Sequence, residues 1–297
     1  MLESAKPLVI GIVGIIRSRT RRSFGYFEEV LQGIISEAGN RDADVHVYRD
    51  DSWLWSRDRP PYQDGVSDGL ILFSPVCRPD VFNVVALSGL PAVSVGENVI
   101  ASGIPSVDVD NYGASKAATE HLIKLGHTRI AILTGRLTGD GWARMRFAGY
   151  VDALQQSGLT YREDHVRDLT IPNFDCGYEA TCSIFEQASS TSPTAIVALN
   201  DEVALGAFTR IKEMGLSVPD DISIIGFDDI PSAERAETPL TTMRQPTAMI
   251  GVKAVDMLLK RIDNRHLDAV HLTVPAELIL RATTAQAIAI RSTRKAA

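Results

Sequence analysis

LVIGIVGII (Leu8–Ile16), followed by YFEEVLQGIISEA (Tyr26–Ala38), is the pair of stretches that decides the fold class. The first is apolar without a break, as a parallel strand covered on both faces would be. In the second, Phe27, Val30, Leu31, Ile34 and Ile35 recur at helical spacing, and Gly39-Asn40 closes the segment. Outward from this strand–helix pair the rhythm repeats. Short apolar runs stand at Val45–Tyr48, Gly69–Phe73, Ala92–Val95, Ser106–Val109, Arg129–Leu133, Ala195–Leu199 and Ile222–Phe227. Helix-period segments fill Tyr112–Leu125, Ala143–Gln156 and Glu202–Met214. Such alternation predicts an α/β fold with parallel sheets. It contains more strands than one strongly twisted sheet usually holds, so two sheets are expected. After Phe227, DDIPSAERAETPLTTMRQP (228–246) reads as a long turn-rich stretch. A helix at Thr247–Arg261 and strands near His271–Val274 and Glu277–Leu280 follow, the pattern of a chain recrossing between lobes.

The chain has 297 residues, 45% of them hydrophobic and 23% charged, with mean hydropathy +0.02. These values exclude a disordered chain, a collagen-like repeat and a coiled coil. A formal charge of −7 argues against this chain alone wrapping a polyanion, which needs clustered Lys and Arg. Cys77, Cys176 and Cys182 lie in no CxxC or CxH spacing, so neither a disulfide framework nor a structural zinc site is indicated. The first apolar run is preceded by Glu3 and Pro7 and followed by Arg17, without a cleavage pattern. Cytoplasmic localisation is the expectation. RDDSWLWSRDRPPYQD (49–64) breaks the rhythm, because Pro60-Pro61 would interrupt any helix. It reads as an irregular loop in which Trp53 and Trp55 are either anchors or patches on the core.

Catalytic patterns are missing. No GxxxxGK[ST] loop, HExxH helix or GxSxG elbow occurs, and the glycines of GRLTGDG (Gly135–Gly141) do not match GxGxxG. The histidines at 46, 121, 127, 165, 266 and 271 form no ligand-like cluster, and His121 and His127 read as structural. No catalytic residue, metal or cofactor is expected. Polar residues at the carboxyl ends of the predicted strands are more informative, because open α/β sheets bind ligands there. Asp110-Asn111, Asn200-Asp201 and Asp228-Asp229 occupy three such ends, and Arg144 and Arg146 follow the loop after a fourth. Carboxylates, an amide and a forked guanidinium suit a polyhydroxylated solute, whose hydroxyls both donate and accept. Asp201 could instead cap the next helix and Asp229 serve a turn.

VDVDNYGASKAATEHLIKLGHTRIAILTG (Val107–Gly135), RMRFAGYVDAL (Arg144–Leu154), AIVALNDEVALGAFTRIKEMGLSVPDDISIIGFDD (Ala195–Asp229), PLTTMRQPTAMIGVKAVDMLL (Pro239–Leu259) and PAELILRATT (Pro275–Thr284) together resemble the effector-binding domain of the lactose/galactose-repressor (LacI/GalR) family. The resemblance runs in order from about Leu8 to Thr284. It implies a type 1 periplasmic-binding-protein fold: two doubly wound parallel-sheet lobes joined by three crossovers, with a ligand cleft between them. The lobes are expected at 1–127 with 247–272, and at 128–246 with 273–297. By alignment, Tyr26 and Phe27 fall at an aromatic pair that stacks on the ligand, and Arg146 at the arginine that grips its oxygens. Asn200 and Asp228 match polar positions at two strand ends, Phe174 an aromatic wall, and Gln245 a crossover contact. The family acts by binding a small molecule, often a sugar or a purine, and changing the operator affinity of an attached helix-turn-helix through dimer geometry.

The resemblance therefore implies a homodimeric sensor of a sugar or sugar acid, acting in transcription regulation and away from the membrane. Pro79–Leu87, with Val81, Phe82, Val84 and Val85, is the candidate dimer face; packing into the lobe's own core is the alternative. Departures from the pattern also show. Only seven residues precede Leu8, so the helix-turn-helix is expected to be absent from this chain. Gly113 stands where many members carry an acidic contact, and RSRTRRSFG enlarges the loop before the aromatic pair. Arg17, Arg19, Arg21 and Arg22 in that loop form either a solvated surface or a positive rim that would favour an acidic effector. A stand-alone solute-binding protein and an enzyme on the same scaffold are the competing readings.

Overall fold

The computed structural model describes residues 6–14, 25–48, 65–73, 79–137, 141–187 and 192–287. Arg17, Arg19, Arg21, Arg22, Trp53, Trp55 and Cys77 lie outside the described residues. The chain divides into two compact units, 1–109 with 246–274 and 110–245 with 275–297, and so passes from one to the other three times.

The first unit contains β1 (Leu8–Val13), α1 (Gly25–Asn40), β2 (Ala43–Tyr48), β3 (Gly69–Phe73), α2 (Pro79–Ser88), β4 (Ala92–Val95) and β5 (Ser106–Val109), then α8 (Thr247–Asp263) and β11 (His271–Val274). Its strands run β2-β1-β3-β4-β5-β11, every neighbouring pair parallel. All five residues of β3 are buried, which explains its unbroken apolar sequence. Leu70 and Leu72 pack with Val81, Phe82 and Val85 of α2, while the other face of β3 lies under Leu258 and Ile262 of α8. Helices α1 and α8 approach so closely that a Cβ at Gly33 would collide with the Ala248 carbonyl. Three of the four apolar residues expected to form a dimer face are thus in the unit's own core; Val84 is 39% exposed.

The second unit contains α3 (Asn111–Lys124), β6 (Ile130–Gly135), α4 (Trp142–Gln156), β7 (Val166–Leu169), α5 (Phe174–Gln187), β8 (Ala195–Ala198), α6 (Asp201–Glu213), β9 (Ser223–Asp228), α7 (Pro231–Glu234), β10 (Thr241–Arg244) and β12 (Glu277–Ile279). Its sheet runs β7-β6-β8-β9-β10-β12, parallel except for the antiparallel β10–β12 pair. On one face Leu133, Ile196 and Ile224 meet Ile184 of α5 and Val203, Ala207 and Ile211 of α6. On the other, α3 and α4 pack together, with Gly149 admitting the Tyr112 carbonyl. That contact is why the first passage between units falls after Val109 rather than after residue 127: α3 belongs with α4.

Two further elements depart from the sequence reading. Strand β10 lies inside the stretch read as turn-rich, because a strand of four residues is too short to show a period between Pro239 and Pro246. Strand β7 is a half-exposed edge strand, VRDL, with no apolar run to announce it. Among the described residues no helix is long and apolar enough to cross a membrane.

Candidate functional site

Within each sheet the strand order reverses beside the central strand, and ligands of open α/β sheets bind beyond the carboxyl ends at such a point. In the second unit the point lies between β6 and β8. Arg146, in the second turn of α4, reaches the end of β8 there. Its side chain is buried: Nε donates to Asn111 Oδ1 at 2.8 Å and Nη1 donates to the Leu199 carbonyl at the end of β8. The guanidinium carbon lies 3.4 Å from the centre of the Phe227 ring and 5.2 Å from that of Trp142. One cation thereby ties α3, α4, β8 and β9 together, through charge-assisted hydrogen bonds and contact with aromatic faces. The residue is only 8% exposed.

Asn200 sits at the N-terminus of α6 and is its cap. Its Oδ1 accepts from the Val203 N–H at 2.8 Å, and Nδ2 donates to the Pro172 carbonyl at 3.1 Å. An amide so placed still has a second lone pair and a second N–H. Capping by Asn200 corrects the sequence reading that gave this role to Asp201. Asp201 is instead fully buried, accepting from the Thr242 hydroxyl at 2.6 Å and the Ile230 N–H at 2.9 Å. Burial, and behind it the negative Asp228, push its carboxyl up to about 8. Asp110 caps α3 through the Gly113 N–H at 2.8 Å, so Gly113 serves the helix start.

At the end of β9, Asp228 and Asp229 both hold positive φ, 114° and 64°, where non-glycine residues are strained. Asp228 Oδ1 accepts from Gln245 Nε2 at 2.6 Å. Asp229 serves the turn and is held by Arg244 at 2.7 Å and Arg281 at 2.6 Å. Asn200, Asp228 and Gln245 therefore lie at the ends of the consecutive strands β8, β9 and β10, and Arg146 of α4 reaches the end of β8. Phe174 is half-buried and opens α5 in the same unit. Tyr26 and Phe27 open α1 in the first unit, where Phe27 meets Phe73 edge-on with centres 4.6 Å apart. Reading residues singly missed Trp142 and Phe227 as the aromatic contacts of Arg146, and Arg281 as a partner of Asp229; no local motif marks any of them. His127 is buried, with Thr194 and Ser223 hydroxyls at 3.0 and 3.1 Å, a structural setting whose burial lowers its pKa. Among the described residues no group of His, Cys, Asp or Glu could hold a metal ion.

Residues 119–284 match the family profile of the periplasmic binding protein-like domain. The chain belongs to this family. Its LacI/GalR character shows in the relatives. The HTH-type transcriptional repressor PurR of Histophilus somni is 33% identical over 72% of this chain and 63% of that protein. The transcriptional regulator CelR, solved as a cellobiose complex, superposes with TM-score 0.81 at 27% identity, covering 93% of this chain and 84% of that one. The lac repressor dimer, solved on its operator, gives TM-score 0.79 at 27% identity, covering 95% of each chain. This LacI-type chain spans about 63% of the length of the first curated relatives it matches.

Proposed function

We propose that this LacI-type chain is the effector-sensing part of a transcriptional regulator that binds a small polyhydroxylated molecule. The observation that carries the reading is the set of Asn200, Asp228 and Gln245 at the ends of the neighbouring parallel strands β8, β9 and β10, with the Arg146 guanidinium of α4 already fixed against the end of β8. Adjacent ligand oxygens would donate to Asp228 and accept from the amides and Arg146. Tyr26, Phe27 and Phe174 are the proposed apolar walls. Binding would favour one arrangement of a homodimer over another, and operator affinity would follow that population shift. The relatives are transcriptional regulators, which supports a binding role over catalysis and over transport.

Calorimetry with neutral sugars, cellobiose among them, sugar acids and purines tests the proposal. A ligand from the panel should bind, and Asp228→Asn should weaken it by roughly 1.5–3 kcal/mol, the worth of a hydrogen bond to a charged group. Asparagine matches aspartate in shape, so the substitution adds no backbone strain beyond what the parent residue already bears. Unchanged affinity in Asp228→Asn would place the site elsewhere. Preference for sugar acids, lost when Arg17, Arg19, Arg21 and Arg22 become serine, would assign the arginine loop to the ligand; exclusive binding of neutral sugars would leave it as surface.

A further inference from the structure

Inside the second unit a cavity of about 10 Å³ lies between the sheet and the α3–α4 pair. Its wall includes Ser115, Thr134, Arg146, Leu199 and Phe227. That volume is about the room one water molecule requires. Ser115 Oγ and Thr134 Oγ1 are buried, on residues 2% and 1% exposed, and neither has a hydrogen-bond partner. Other hydroxyls in the helices take the usual local solution: Thr119, Thr181 and Thr209 each donate to the carbonyl four residues back. Ser115, on the same helix as Thr119, does not. Two residues that line the same small space, one on a helix and one on a strand, thus each carry a buried hydroxyl without a partner.

Dry cavities in proteins are lined by apolar groups, and an unpaired buried hydroxyl is costly because its bonds to water are lost without replacement. We propose that this cavity holds one structural water, bound by the hydroxyls of Ser115 and Thr134 and lying against the Arg146 anchorage. Either hydroxyl can donate or accept, so a water, which does both twice, satisfies the pair in any orientation. The Leu199 carbonyl, which takes one bond from Arg146, has a second lone pair to offer. The water would link α3 to β6 directly behind the guanidinium, and the site needs no effector to be filled. A larger solute is excluded by the volume.

The wet and dry cases give opposite signs in a mutational test. If the water is present, Ser115→Ala or Thr134→Val each removes one of its anchors and leaves the other hydroxyl poorly paired, so each lowers the melting temperature. The double variant removes both needs at once and loses less than the sum of the singles. If the cavity is dry, each single substitution removes an unpaired hydroxyl and raises the melting temperature, and the double raises it further. A high-resolution crystal structure of the full chain should show a density peak within hydrogen-bond distance of both hydroxyls. Absence of that peak, or stabilisation by either single variant, overturns the proposal.

Discussion

In the first unit the strand ends at the switch point are lined by an aromatic pair, Phe27 against Phe73, whereas in the second the buried guanidinium of Arg146 ties the end of β8 to Phe227 of β9 and Asn111 of α3. Both sheets have the same strand order, and both close a helix pair through glycine: Gly33 admits α8 onto α1, and Gly206 admits the Phe174 carbonyl of α5 onto α6. The scaffold is thus repeated, while the interior chemistry is not. Apolar contacts need only shape and volume. A buried cation, a raised carboxyl and two strained aspartates need partners placed by several elements at once. The second unit should therefore respond to charge and pH where the first responds to volume.

The largest effect separating the two is volume loss in the first unit. Ile34→Ala, at a position with no exposure, should cost about 2–5 kcal/mol in urea unfolding, to the same extent at pH 5 and pH 8. A pH-dependent loss there would break the contrast. Arg146→Ala comes next. It leaves Asn111 Oδ1 and the Leu199 carbonyl without their charged donor and should cost about 3 kcal/mol. A melting temperature equal to the parent's would show that the guanidinium serves only a ligand and not the fold.

Asp201 sharpens the comparison through pH. Its carboxyl sits at about 8 in the folded chain, against an ordinary value near 4 when unfolded. Between those values the folded state holds more protons, so this group's contribution to stability is complete below about pH 4 and is lost as pH rises towards 8. Asp201→Asn keeps an acceptor for the Ile230 N–H and can donate to the Thr242 hydroxyl. It should gain on the parent as pH rises from 5 to 8, and parallel curves for the two proteins would contradict the assignment. His127 works in the opposite sense: burial lowers its pKa, so its contribution is complete above the ordinary imidazole value of about 6.5 and is lost as pH falls below it through the lowered folded value. Comparison with the parent at each pH separates the two.

Smaller still is the loss of a helix cap. Asp110→Ala should cost about 1 kcal/mol, the ordinary worth of an N-cap side chain. The smallest effect belongs to the surface pair Lys212–Glu237, where Glu237→Gln should leave the unfolding midpoint unmoved because water and salt screen it.

Much of this architecture was legible from residue order. Gly69–Phe73 and Ala92–Val95 were readable to the residue, because a strand buried on both faces is apolar along almost all its length. Strands β7 and β10 were not, one being a polar edge and the other a four-residue piece between prolines. The site divides in the same way. Arg146, Asn200 and Asp228 were marked by their places after strands and by resemblance to a family. The exchange of roles between Asn200 and Asp201 left no local trace, since both residues cap helices well.

Periodicity and composition by themselves determined the class of fold, the number of sheets and the strand ends where polar chemistry would gather. Those features follow from which residues must leave water, a property each residue carries locally. Only the tertiary structure decided that α3 belongs with α4, that Arg146 is a buried tie rather than an open hand, and that Asp201 retains its proton near neutral pH. Each of these depends on groups 27 to 53 positions apart meeting in a space from which water has been excluded, as Arg146 meets Leu199 and Asp201 meets Asp228. Hydrogen bonding and desolvation act on that meeting, and no stretch of sequence contains it.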